Sequence, residues 1–122
     1  MTRVTSNIGA IFGDIIVSTV DALAVGRGTG AEASGADALA DEVHRASVDS
    51  STVELIQPGS NSDSELAIEV GGGTEVTGGT EITEVGAFIG QNLIIIDEFA
   101  PVTVEAGHRQ EFVIPVDSRV VN

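Results

Sequence analysis

"AVGRGTGAEASGADALADEVHR", Ala24 to Arg45, places three glycines at alternate positions, then a run of small residues, then a segment with helix-capping residues. Two folds compete for it. As a phosphate-cradling loop it would open a helix in an alternating β–α–β chain; as a plain connection it would carry the chain from one strand to the next. A P-loop requires a lysine followed by Ser or Thr after its second glycine, and the sequence contains no lysine. A dinucleotide fingerprint requires glycines at the first, third and sixth places. Here Gly26, Gly28 and Gly30 fill the first, third and fifth, and Ala31 stands at the sixth. The three glycines are therefore expected to give backbone freedom to a tight, exposed connection and to hold no phosphate.

Downstream of that loop the pattern is β throughout. "STVELIQPG" (Ser51–Gly59) is β-branched and closes on Pro58-Gly59, a turn signal. "SELAIEVGG" (Ser64–Gly72) alternates, with Leu66, Ile68 and Val70 on one face and Glu65, Ala67 and Glu69 on the other. "TEITEVGAFIG" (Thr80–Gly90) follows, with Gln91-Asn92 as a tight connection. "NLIIIDEFA" (Asn92–Ala100) is apolar on both faces, as a fully covered strand would be. Pro101 is expected to end that strand, and "VTVEAG" (Val102–Gly107) to begin another. In "QEFVIPVDSRV" (Gln110–Val120), Phe112, Ile114 and Val116 share a face, and Pro115 points to an edge strand or a bulge. The duplication "GGTEVTGGTEIT" (Gly72–Thr83) reads as a hairpin tip.

Upstream, "DALAVG" (Asp21–Gly26) reads as a strand. "TSNIGAIFGDIIVSTV" (Thr5–Val20) carries Ile8, Ile11, Phe12, Ile15 and Ile16 at three- and four-residue steps behind a Ser6 or Asn7 cap, which predicts a short helix. Its apolar residues exceed one helical stripe, so these five are the candidate contact surface. "SGADALADEVHR" (Ser34–Arg45) offers a Ser34 or Asp37 cap and one helical turn. The fold expected is mainly β, an antiparallel sandwich of jelly-roll or immunoglobulin-like type. It forms a single domain over residues 1–122, helical over 1–18 and sandwich over 20–122.

Charge narrows the function. Nineteen acidic residues face five arginines, giving a formal net charge of −14 over 122 residues. Such a surface repels phosphate backbones, so no nucleic-acid partner is expected. It also repels itself unless salt shortens the Debye length to about 3 Å, as molar salt does. Acid excess without lysine resembles the proteins of organisms living in concentrated salt. The absence of cysteine excludes disulfides and thiolate metal sites. No apolar run reaches the ~18 residues of a membrane span, and Asp14 with nearby glycines interrupts what would be a signal peptide's apolar centre.

Catalytic and metal constellations are not legible. His44 and His108 lack the i, i+4 spacing of a zinc pair, and His108 in "EAGHRQE" reads as a solvated turn residue. No serine lies in a nucleophile elbow. The acidic clusters "NSDSE" (Asn61–Glu65) and Asp97-Glu98 lack the order of a calcium loop and read as solvated surface. The expectation is a protein without catalytic residues, cofactor or metal.

The order of segments resembles a family of small virion proteins of tailed viruses: "LAVGRGT" (Leu23–Thr29), "DALADEVHRASV" (Asp37–Val48), a variable middle, and "ITEVGAFIGQNLIIIDEFAPVTVEAGHRQEFVIPV" (Ile82–Val116). The resemblance covers roughly residues 20 to 117, and "ADEVHR" (Ala40–Arg45) and "TEVGAF" (Thr83–Phe88) are its most specific pieces. Related sequences form the baseplate-facing N-terminal domain of tail-collar fibres, and others are free-standing head or tail proteins. A fibre protein continues into a long fibrous part, whereas this sequence stops at Asn122, so the domain without the fibre is expected. The resemblance implies a structural subunit of a tailed virus with a halophilic host, located in the virion. It would be a capsid turret or decoration, or alternatively a tail-tip, baseplate or fibre-attachment protein. Its partners would be itself, as a trimer, pentamer or hexamer, and major capsid or tail proteins. The family pattern also implies an ion pair between Glu42 and Arg45 that pins the loop after the glycines. A host-surface glycan-binding module is the alternative of a different class, opposed by the absence of Trp and Tyr.

Overall fold

The computed structural model describes residues 2–4, 20–31, 38–56 and 64–116. The helix expected in the N-terminal segment, with Ile8, Ile11, Phe12, Ile15 and Ile16, and the caps Ser34 and Asp37 lie outside the described residues.

The protein is mainly β, with two antiparallel sheets. The strands are β1 (Thr2–Val4), β2 (Ala22–Gly26), β3 (Glu42–Ser47), β4 (Val53–Ile56), β5 (Ser64–Gly71), β6 (Thr80–Ile89), β7 (Asn92–Val104) and β8 (Arg109–Val116). One sheet has the order β1-β7-β6-β2-β3 and the other β4-β5-β8.

Period-two alternation sorts the side chains. Leu23 and Val25 of β2, Val85 and Ala87 of β6, and Ile95 of β7 enter one buried cluster with Leu66, Ile68 and Val70 of β5 and Phe112 and Ile114 of β8. Both sheets therefore feed a single core. Phe99 of β7 stacks on Phe112 of β8, ring centroids 5.8 Å apart, as an aromatic tie between them. The opposite face of the larger sheet carries a second cluster, in which Ala24, Phe88, Leu93 and Ile96 are roofed by Ala31 and Leu39 from the β2–β3 connection. This is why Ile82 to Phe88 is buried without a break. Each such Leu, Ile or Phe contributes about 1.5–3 kcal/mol by leaving water.

Three expectations are corrected. Of the helical turn expected behind Ser34 or Asp37, residues 38–41 are not helical, and the segment continues as strand β3, which pairs with β2 through Ser47, Ala46, Arg45 and His44. Strand β7 does not end at Pro101 but runs 13 residues through it. Glu84 pairs with Glu98 and Ile82 with Val102, so Thr83 faces the stretch Phe99–Pro101. The proline occupies this irregularity, where its missing N–H costs no regular ladder bond. The duplication Gly72–Thr83 is not a hairpin tip, because β5 and β6 belong to different sheets and it carries the chain between them.

A second bulge lies in β7. Ala87 pairs with Ile95 and Phe88 with Leu93, which leaves Ile94 extra. Ile94 and Ile95 consequently both enter the shared core, while Leu93 and Ile96 enter the outer cluster. Pro115 lies on β8, an edge strand of the smaller sheet, and pairs with Glu65.

Candidate functional site

The glycine loop does bind a carboxyl group, and that group is the protein's own. Glu84, in the middle of β6, has no exposed surface. One of its carboxyl oxygens accepts the N–H of Gly28 at 3.0 Å and of Asp41 at 2.9 Å; the other accepts the N–H of Ala40 at 2.9 Å. Three backbone donors thus converge on one buried side chain, whose oxygens would otherwise lack partners. Thr83, next in the strand, donates its hydroxyl to the carbonyl of Gly28 at 2.6 Å. Opposite Glu84, Glu98 accepts the N–H of Gly30 at 2.7 Å. Two carboxyls facing each other across a ladder would repel, and the loop amides offset that repulsion.

Gly26 and Gly28 are required for room rather than freedom, which corrects the expectation for two of the three. A Cβ on Gly26 would fall 2.3 Å from the Glu84 oxygen, and one on Gly28 would fall 2.5 Å from the Ala40 Cβ. Only Gly30 of the three has a left-handed backbone, with φ of 95°. Arg27 completes the clamp: its N–H donates to the Asp41 carbonyl at 3.0 Å, and its side chain to the Asp41 carboxylate at 3.0 Å.

Glu42 and Arg45 meet in a two-pronged ion pair, Nη2 to Oε1 at 2.7 Å and Nε to Oε2 at 3.0 Å. On a regular strand, residues three apart face opposite ways. Here Gly26 pairs with Glu42 and Val25 with His44, so Val43 is an extra residue that restores both side chains to one face. The Arg45 guanidinium then lies 3.9 Å from the centre of the Phe88 ring. His44 occupies the same strand, its Nε2 buried without a hydrogen-bond partner.

One further feature adjoins this centre. An open polar cleft of about 520 Å³ runs between Arg27 and Thr83 on one side and the Thr77–Thr80 turn on the other, with Glu81 at its wall. At another place in the fold, Arg109 bridges Glu69 and Glu75. Glu75 also accepts the N–H of Gly71 at 2.7 Å, and this bond above all holds its carboxyl below the usual range. The side-chain bond to Glu69 leads the causes that raise Arg109. His108, beside it, is exposed.

Comparison with known protein families, with characterised proteins and with solved structures finds no match. The site is therefore read from its own geometry. The role of Glu84 was not read from the sequence. Its signal was a carboxylic acid in an otherwise apolar run, paired with a glycine loop whose amides needed an acceptor.

Proposed function

We propose that this chain is a non-enzymatic virion structural protein of a tailed virus with a halophilic host, an oligomeric turret or decoration subunit on the capsid surface. Its sheets would be of the sandwich type, jelly-roll or immunoglobulin-like. What carries the reading is that the two segments bearing the family resemblance meet. Glu84 of "TEVGAF" accepts the amides of Ala40 and Asp41 in "ADEVHR", and Arg45 of the latter covers Phe88 of the former. Segments more than forty residues apart serve one clamp, as a motif selected for shape rather than for a reaction would. The buried carboxyl is engaged by backbone donors and holds a loop in place.

Antibody raised against the chain, applied to purified particles in molar salt and viewed by electron microscopy, tests the proposal. Label spread over the heads supports decoration, and label at one tail end moves the protein to the tail tip or baseplate. Absence from particles that contain the gene overturns the virion reading. The open polar cleft beside Arg27 favours a second reading, a module for host-surface glycans. A glycan array with no hit in molar salt removes it.

A further inference from the structure

We propose that the outer edge of β3 is a self-recognition surface, on which a second copy of this chain docks its own β3 antiparallel to form one continuous sheet. This rests on the homo-oligomer in the reading above and names the surface that builds it. Among the described residues, β3 has a strand neighbour on one side, β2, and is the terminal strand of its sheet. Its sequence Glu42-Val43-His44-Arg45 is self-complementary. Reversed against itself, it sets Glu42 opposite Arg45 and Arg45 opposite Glu42 across a two-fold axis between Val43 and His44.

The bulge at Val43 is what permits this. It brings Glu42 and Arg45 to the same face, so both charges of one copy meet both charges of the other. Each side chain is about a third exposed, 32% for Glu42 and 33% for Arg45. Glu42 already holds Arg45 on that face, and docking turns the guanidinium from the Phe88 ring, which lies two strands inward, toward the outer edge. A bulged edge bearing both signs of charge rejects strands of arbitrary sequence, which is how exposed edges are kept from indiscriminate pairing. A strand with the opposite charge order is accepted, and the nearest supply is another copy. With a net charge of −14 on each copy, docking requires concentrated salt to screen the bodies, while the edge pairs remain in contact.

Charge reversal tests the proposal without depending on the internal ion pair. E42R and R45E each break that pair, and each sets like charges opposite across the two-fold axis. Sedimentation in molar salt should show self-association weakened by about tenfold or more in each variant alone. Mixing the two variants restores both opposite-charge contacts across the axis, and the mixture should associate as a heteropair. A structural role for Glu42 and Arg45 would leave the mixture as weak as its parts, and that result overturns the proposal.

Geometry supplies an independent check in the unreversed chain. In this register Ser47 lies opposite the other copy's Ala40, so a spin label on S47C, in a chain without native cysteine, should report a separation of about 24 Å. A two-fold contact yields even copy numbers, a pair or six. A trimer or pentamer, or an oligomer lacking that separation, rejects the β3 edge and leaves the virion reading standing.

Discussion

Glu84 concentrates more consequence than any other side chain described, because three amides at both ends of the β2–β3 connection depend on its two oxygens. Replacing it with Gln keeps the shape but turns one acceptor into a donor aimed at an N–H. E84Q should lose about 1–3 kcal/mol, the cost of leaving buried donors unpaired, and Glu84→Ala should lose more. Denaturant unfolding in molar salt measures this, with Glu81→Gln as an exposed control expected within about 0.5 kcal/mol of the parent. Gly28→Ala belongs to the same clamp. Its Cβ would meet the Asp41 nitrogen at 2.7 Å, so the loop must move and Glu84 must lose a donor. A loss of about 1–3 kcal/mol is expected. Glu75 gives a titratable counterpart. Its carboxyl is lowered, first by the Gly71 amide, so the ionised form is favoured in the folded state. That contribution is full above the ordinary carboxyl value of 4.5 and is lost as pH falls through the lowered one. Glu75→Gln should therefore destabilise at neutral pH, and its difference from the parent should shrink steadily below pH 4.5. A constant difference would mean that the charge is not what matters there.

Strands differ in how well they are sheltered, and exchange rates should follow. β6 is flanked by β7 and β2 and covered on both faces, whereas β3 and β4 end their sheets. Amides of β6 from Ile82 to Phe88 should be the slowest to exchange with deuterium, and those of β4 among the fastest. β3 should be fast in dilute protein and slow on self-association. These strands were largely legible in the sequence, because alternation such as Leu66, Ile68 and Val70 follows directly from the two faces of a pleated strand. Bulges were not legible. The extra Ile94 and the irregularity that admits Pro101 are settled by contacts with β6, which no local pattern encodes. Strand β3 was not read from the sequence for the same reason: Ser34–Arg45 was given a cap and one helical turn, and no strand. Glu42 and Arg45 were expected to pair, but the extra Val43 that aligns them on one face of a strand depends on β2. The glycine loop was half legible. Its glycines marked a special backbone, but what makes them necessary is tertiary: the Glu84 carboxyl of β6 at Gly26, and Ala40 and Asp41 from the far end of the loop at Gly28.

Charge acts on all strands and loops together. Nineteen carboxylates against five guanidiniums put every surface patch in the field of like charges. At low ionic strength the Debye length of about 30 Å exceeds the size of such a domain, and the repulsion sums over the surface. Unfolding separates those charges, so dilute buffer favours the unfolded chain. In molar salt the screening length falls to about 3 Å, and only contacts such as Glu42–Arg45 and Arg27–Asp41 retain their attraction. The melting temperature should therefore rise steeply from dilute buffer to molar potassium chloride. Most of the rise should come at the low end, where the Debye length changes fastest. Potassium chloride separates this screening from the general effect of excluded salts such as sulfate, which strengthen burial in any protein. A melting temperature that is flat in potassium chloride yet rises in sulfate would assign the stability to burial alone. It would remove the physical basis for placing this chain in a concentrated-salt environment.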